Sequence, residues 1–235
     1  MTDIESIKDM TMALFDSVPI EPVEGMGFLS IHPFASSPYV ANPEGGMVDL
    51  TTPEGWLWYR RKIEKKVRER NLPFITSLIR PPFLMTWFRY ASEFMSEKDF
   101  AHYLVVCWVT EENPNQDKNV SRKRAVGFFK AANKKYLMAE DELAYYNALP
   151  DTLTIYRGVS PGRERNGLSW TDDLDVAAWF KKRFEKKDLE GYILKATISK
   201  KYVLAYFNRH LREEHELVVD VYGIQKKIEV LKGSK

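Results

Sequence analysis

The chain has a single cysteine, no long apolar run and almost no net charge, and each shortage closes a class of function. Cys107 stands inside the apolar stretch LVVCWV. One thiol allows no disulfide framework and no thiolate metal site, and in such a run it reads as a small apolar core residue. No stretch approaches the roughly 18 apolar residues that a spanning helix needs, so no membrane segment is expected. The first residues, MTDIESIKDM, are acidic and carry no apolar h-region, so no secretory signal is legible. The expected compartment is a cytoplasm, the cell's own or a host's. Lys and Arg number 35 against 33 Asp and Glu, a net charge of +2, too little in itself to argue for a polyanionic partner. The four histidines, His32, His102, His210 and His215, show no HExxH spacing, so no metal is expected. No G-x-G-x-x-G follows a strand, which argues against a doubly wound dinucleotide fold. No internal repeat or low-complexity tract is present.

What remains is an ordinary globular composition, 44% hydrophobic and 29% charged over 235 residues, enough chain to bury a substantial core. Residues 1–20 hold a short amphipathic helix, with Ile4, Ile7, Met10 or Met12 and Leu14 about a turn apart. Proline and glycine cluster over 19–55 and break helices, which predicts an extended arm or irregular loop. Phe28, Leu29, Ile31, Phe34 and Tyr39 within it predict that the arm packs on the protein surface and is not a solvated linker. A helix follows over 54–71, capped by Thr51 or Thr52 with Pro53 in the first turn. Its basic face, RRK, KK and RER, reads first as a solvated surface and second as a nucleic-acid contact. Two helices are expected over 83–109, the second capped by Ser96, then a loop at 111–119 and a further helical stretch over 121–148.

After Pro150 the period changes. LTIYRGV, YILKATI, VLAYF and ELVVDVYGI are short and rich in β-branched and aromatic residues, as strands are. One helix lies among them, over 173–187, with Thr171 or Asp172 as cap and Val176, Trp179 or Phe180, and Phe184 on one face. Helices first and strands afterwards predict an α+β fold, a mainly helical N-terminal half packed on a split antiparallel β core. The expected divisions are an arm at 1–55, a helical half at 56–150 and a β core at 151–235, with 56–235 forming one compact domain. The part after 150 carries 17 Lys and Arg against 13 Asp and Glu, a mildly basic balance that suits an anionic ligand.

Three polar signals stand at the edges of these strands: Tyr156-Arg157-Gly158, then Gly167-Leu168-Ser169-Trp170-Thr171, then Glu214-His215-Glu216. Side chains i and i+2 of a strand share a face, so Glu214 and Glu216 face one site if the last strand begins early enough. Taken singly, each signal has a plainer reading: a surface arginine, a turn serine, or an ion-pair patch of Glu213, Glu214 and Glu216 with Arg209 and Arg212.

Their joint order resembles the mono-ADP-ribosyltransferases of the R-S-E type, found among bacterial toxins and phage effectors. The resemblance covers the last 85 or so residues. It implies NAD as substrate, with Arg157, Gly158, Ser169, Thr171 and Glu216 binding it. Arg157 would anchor the pyrophosphate through its guanidinium fork, and the Gly158 backbone would hold the nicotinamide amide. Glu216 would be the essential carboxylate opposite a ribosyl cation, held by Ser169. Glu214 would orient or deprotonate the acceptor, and a Glu at that place implies a guanidinium acceptor. The implied partner is a macromolecule, a protein ahead of a nucleic acid. The sequence departs from the family at Trp170 and Thr171, where Ser-Thr-Ser or Ser-Gln-Ser is usual. Tyr206 or Phe207 would be the aromatic residue of the target-recognising turn, and Arg163 and Arg165 would add phosphate contacts. Water as acceptor makes the same site a NAD glycohydrolase. A non-catalytic partner- or nucleic-acid-binding module is the reading from another class.

Overall fold

The computed structural model describes residues 1–208 and 214–231. Contacts divide the chain into two units, Met1–Asp117 and Lys118–Lys235. The sequence places the change of texture at 150; by contacts, the helices of 122–148 group with the strands that follow them.

In the first unit, helix α1 (Ile4–Ser17) starts at Asp3, whose carboxylate accepts from the Ser6 amide, and buries Ile7, Thr11, Met12, Leu14 and Phe15. The segment predicted as an irregular arm forms two antiparallel ribbons, β1 (Pro22–Val23) with β2 (Met26–Ser30) and β3 (Tyr39–Ala41) with β4 (Met47–Asp49). It is tied down as expected, though not through most of its apolar side chains. Phe34 is buried, while Phe28, Leu29, Ile31 and Tyr39 are exposed. Arg80 Nη1 donates to the carbonyls of Ser30, His32 and Ala35 at 3.1, 2.9 and 3.0 Å, and Tyr59 Oη to that of Phe34 at 2.7 Å. Helix α2 (Pro53–Glu69) is capped by Thr52 and buries Tyr59, Ile63 and Val67, with Trp56 stacked on Phe15 at 4.7 Å. Helices α3 (Leu72–Leu78), α4 (Leu84–Ala91) and α5 (Glu97–Thr110) complete the unit, and Ser96 caps α5. The buried Glu111 carboxylate accepts from the Met85 amide in the first turn of α4, at 3.0 Å. Cys107 is buried in α5.

In the second unit, the helical stretch expected over 121–148 is three helices, α6 (Arg122–Ala131), α7 (Lys134–Leu137) and α8 (Glu140–Ala148). Two side chains restart the helix: Asn133 accepts from the Lys135 amide, and Glu142 reaches back to the Ala139 amide. The strands are β5 (Thr152–Val159), β6 (Ser169–Thr171), β7 (Tyr192–Ser199), β8 (Val203–Phe207), β9 (Glu216–Val219) and β10 (Glu229–Val230). Helix α9 (Leu174–Lys182) lies between β6 and β7 in the chain. Strand β9 stops short of the predicted length because Asp220 turns the chain, its carboxylate accepting from Tyr222 N and pairing with Lys130 at 2.6 Å.

The strands form one antiparallel sheet in the order β10-β7-β5-β6-β9-β8. Strands β5 and β7 pair along their whole length, from Thr152↔Ser199 to Val159↔Tyr192. Strands β5 and β6 meet at one pair, Tyr156↔Thr171. The sheet is therefore two ladders joined at a single rung, an α+β arrangement with a parting in its middle. Leu153, Ile155, Leu194, Ile198, Leu217 and Val218 are buried in it, each contributing on the order of 1.5–3 kcal/mol.

Candidate functional site

Glu216 is brought opposite the serine-threonine strand by register. Tyr156, Thr171, Glu216 and Phe207 are directly paired across β5, β6, β9 and β8, and directly opposed residues of antiparallel strands present their side chains to the same face. Ser169 lies two residues from Thr171 on that face, diagonal to Glu216 and within reach of a long side chain. Thr171 also serves the next helix. Its Oγ1 accepts from the Asp173 amide at 3.1 Å, and Asp173 in turn accepts from the amides of Asp175 and Val176. The cap of α9 is thus Asp173, one or two residues beyond the predicted Thr171 or Asp172. Trp170 points the other way and is buried, its Nε1 donating to the Gly167 carbonyl at 3.1 Å.

Arg157 sits at the parting of the sheet. Its Nη1 donates to the Ser169 carbonyl at 2.6 Å and its Nη2 to the Glu164 carbonyl at 2.9 Å. The guanidinium thereby ties β5 to β6 and to the loop between them, where Arg122 also holds Glu164 at 3.2 Å. Gly167 makes room for it: a Cβ there would lie 2.2 Å from Nη2 and 2.5 Å from Cζ. Nε is buried and meets no acceptor among the described residues. Burial lowers the guanidinium to a pKa of about 10, opposed first by the charge of Glu216 and then by that of Glu164. Arg157 stays cationic at neutral pH, with Glu216 the strongest of the charges that favour its ionised form.

Gly158 is closed on its side-chain side and open along its backbone. A Cβ there would meet the Ala177 carbonyl oxygen at 2.0 Å, so only glycine lets α9 cross at this height. Its partner in β7 is Ile193, whose carbonyl accepts from the Leu231 amide at 2.9 Å and so faces β10. Gly158↔Ile193 is therefore a non-hydrogen-bonded pair. The N–H and C=O of Gly158 point away from β7, toward the side on which β6 has left the ladder.

Glu214 is not placed by strand alternation. Strand β9 begins at Glu216, and His215 before it is left-handed at φ 44°, so the pleat that would align the two carboxylates has not started. His215 instead turns toward β8: its Nδ1 lies 3.0 Å from Tyr206 Oη, and its amide donates to Asn208 Oδ1 at 3.3 Å. Asn208 N donates to Glu142 at 3.0 Å, so Asn208 is held by its amide while its side chain holds His215. Arg209, His210, Arg212 and Glu213 lie outside the described residues. Tyr206 and Phe207, the expected aromatic candidates for target recognition, are both buried. Tyr145 is the exposed ring nearby, stacked on Tyr206 at 4.1 Å with its hydroxyl donating to Asp172. Burial, with the charges of Asp172 and Glu142, pushes Tyr206 up to about 12. Nothing in the helical pattern of EDELAYYNA marks Tyr145, and nothing around GLSWT marks Gly167 as the niche of an arginine.

Compared with known proteins, the chain matches no family model, no curated protein and no solved structure. Among the described residues no group of His, Cys, Asp and Glu is arranged to hold a metal ion, and no helix is long and apolar enough to cross a membrane.

Proposed function

We propose that this chain is a NAD-dependent mono-ADP-ribosyltransferase built on a split β core of the type that family uses. The observation that carries the reading is the register Thr171↔Glu216 beside the Arg157–Ser169 bond. The strands that carry the arginine, the serine and the glutamate, β5, β6 and β9, are neighbours at the one place where the sheet parts, and the charge of Glu216 favours the cationic form of Arg157.

The residues suit NAD. The buried Nε–H of Arg157 lacks an acceptor among the described residues, and a phosphate oxygen supplies one in charge-assisted geometry. The two outer nitrogens are already bound to carbonyls, so Arg157 acts through a fixed cation rather than a mobile bidentate clamp. Gly158 offers its backbone N–H and C=O to a carboxamide, which needs one donor and one acceptor. Glu216, anionic and flanked by the Ser169 and Thr171 strand, accepts from the ribose 2′-hydroxyl and stabilises the positive charge that develops as the C1′–nicotinamide bond breaks. The bonding pair leaves with nicotinamide. Glu214 takes the proton of the acceptor as its nucleophile bonds to C1′, from just ahead of β9. The acceptor we propose is a macromolecule, a protein arginine first, as the resemblance implies for a Glu at this place; a carboxylate can hold a guanidinium in a bidentate pair.

Adenylate-labelled NAD incubated with cell lysate and wild type, Glu216→Ala or Glu214→Ala tests the reading. The expected result is labelled macromolecule from wild type and none from Glu216→Ala. Free ADP-ribose with no labelled band makes the enzyme a glycohydrolase. Wild type that neither labels nor consumes NAD refutes the proposal.

A further inference from the structure

Of the rings that the sequence groups on one face of the helix expected over 173–187, Trp179 or Phe180 and Phe184, Phe180 is half-buried while Trp179 and Phe184 are on the surface, surrounded by cations. Trp179 is 56% exposed, Phe184 39% and Leu189 55%. The residues of α9 that face inward are Ala177 and Lys181, whose backbone lies against Gly158. Arg183 lies over both exposed rings, 5.3 Å from the Trp179 centroid and 5.2 Å from that of Phe184, and Arg163 lies over Phe184 at 4.6 Å. Beside them a cavity of about 480 Å³ is lined by Pro161, Gly162, Arg163, Phe184, Lys186 and Leu189. The run from Trp179 to Lys187, WFKKRFEKK, holds five cations and one acid. That acid, Glu185, turns inward, accepting from the Gly191 amide at 2.9 Å and standing 3.7 Å from Lys181.

Single exposed rings are common, but a contiguous apolar patch marks an interaction surface; here Arg183 lies over both Trp179 and Phe184, and Phe184 and Leu189 line one cavity. An acidic protein would meet the cations but leave Trp179 and Phe184 without a purpose, and an apolar partner would leave the cations buried. A chain with flat rings and regularly spaced negative charge satisfies both. Bases stack on aromatic faces and on guanidinium planes. Arg163 lies over Phe184, and Arg183 lies over both Trp179 and Phe184, so cation and ring are already side by side where a base would stack. The cavity between Arg163, Phe184 and Lys186 is large enough for one nucleotide.

We infer that this face of the second unit binds single-stranded nucleic acid. Bases stack on Trp179 and on the Arg163–Phe184 pair, and Lys182, Arg183, Lys186 and Lys187 follow the phosphates. The proposal does not depend on NAD chemistry and the surface is not the basic face of α2; it takes in Arg163, one residue before the Glu164 carbonyl that Arg157 binds. Were the acceptor reaction established, this surface would make a nucleic acid either the target or the scaffold on which the target is met.

The test is fluorescence anisotropy of a labelled oligo(dT) 12-mer titrated with the full chain across a range of salt. Wild type is expected to bind at low salt with a falling log–log salt dependence, and the slope should drop by roughly 0.7 for each lysine removed in Lys182→Ala and Lys186→Ala. Trp179→Ala should weaken binding roughly fivefold to a hundredfold, while Trp179→Phe, which keeps a stacking ring, should retain most of it. Trp179 is exposed, so unchanged thermal unfolding of both variants is expected and separates lost binding from lost fold. Lys62→Ala and Lys66→Ala in α2 should bind as wild type. Four results each overturn the inference: no binding at low salt; binding indifferent to Trp179→Ala; equal binding of a duplex of the same length or of polyglutamate; or displacement by free AMP at matched nucleotide concentration, which would make the cavity a mononucleotide site.

Discussion

Replacing Gly167 by alanine is the sharpest perturbation of the Arg157 clamp, because it adds one carbon where the guanidinium already is. The new Cβ would sit 2.2 Å from Nη2, 2.5 Å from Cζ and 3.0 Å from Nη1. Ordinary carbon–nitrogen contacts need more than an ångström beyond the first of these, so Arg157 must move. Gly167 has no left-handed backbone to preserve, so the substitution carries no φ penalty of its own. Moving the guanidinium breaks the bonds to Ser169 O and Glu164 O. Hydrogen bonds from a charged donor contribute about 1.5–3 kcal/mol each, and part of this returns as the side chain relaxes, which leaves a cost of about 2–4 kcal/mol. The control is built into the geometry. In an Arg157→Ala background the clashing atoms are gone, and Gly167→Ala should cost less than about 0.5 kcal/mol, the usual figure for a substitution without a named defect. The two singles and the double form a thermodynamic cycle with a coupling of about 2 kcal/mol or more. Hydrogen exchange at the β5 and β7 amides in urea follows the second unit by itself. Equal cost of Gly167→Ala in both backgrounds would refute the clamp. NAD consumption by Gly167→Ala should fall with it, and a fully active variant would separate Arg157 from the reaction.

Other outcomes follow from single contacts. Gly158→Ala places a Cβ 2.0 Å from Ala177 O and 2.5 Å from Lys181 N, against helix backbone that cannot rotate away, so it should destabilise the second unit by about 3 kcal/mol or more, readable by the same exchange experiment. Glu111 is buried and its carboxyl is raised to about 8, chiefly by burial. Folded protein therefore holds a proton there that the unfolded chain releases near its ordinary value of 4.5. Stability present below that value should be lost as pH rises toward 8, by on the order of 3–5 kcal/mol. Glu111→Gln, which keeps an acceptor for Met85 N, should match wild type near pH 5 and melt higher near pH 8; parallel melting curves at both pH values would refute this. Asp220→Ala removes the Lys130 pair and the turn contact to Tyr222 and should cost about 1–2 kcal/mol in the same melts.

Local rules are legible wherever one residue decides one feature. Thr52 and Ser96 cap their helices because a hydroxyl one turn ahead can satisfy a free amide, and the alternation of LTIYRGV marks β5. The features that escape the sequence are those in which a distant group decides. The helical pattern of 121–148 is continuous in its apolar residues, yet Asn133 and Glu142 recruit amides and restart it twice. Glu214 aligns with Glu216 only along an unbroken pleat, which His215 interrupts, and the partner that holds His215, Tyr206, is on another strand.

The inversion of α9 has the same origin. Periodicity groups Val176, Trp179 or Phe180, and Phe184 on one face, since large apolar residues recur there at helical spacing; Val176 and Phe180 are half-buried, while Trp179 and Phe184 are exposed. Burial is nevertheless set by how closely the helix axis approaches the sheet. Gly158 and Gly191 both lack the Cβ that would stand off the backbone at Ala177 and Lys181, so the helix settles on its small and long-stemmed residues. Ala177 fits beneath a helix that close, and Lys181 buries its stem while its Nζ finds Glu185. Trp179 and Phe184 are then left outside, with Arg183 over both and Arg163 over Phe184. Two glycines outside α9, Gly158 and Gly191, thus let its backbone settle against β5 and leave Trp179 exposed. The spacing of apolar residues along the helix contains none of this, because the glycines that decide it belong to other segments of the chain.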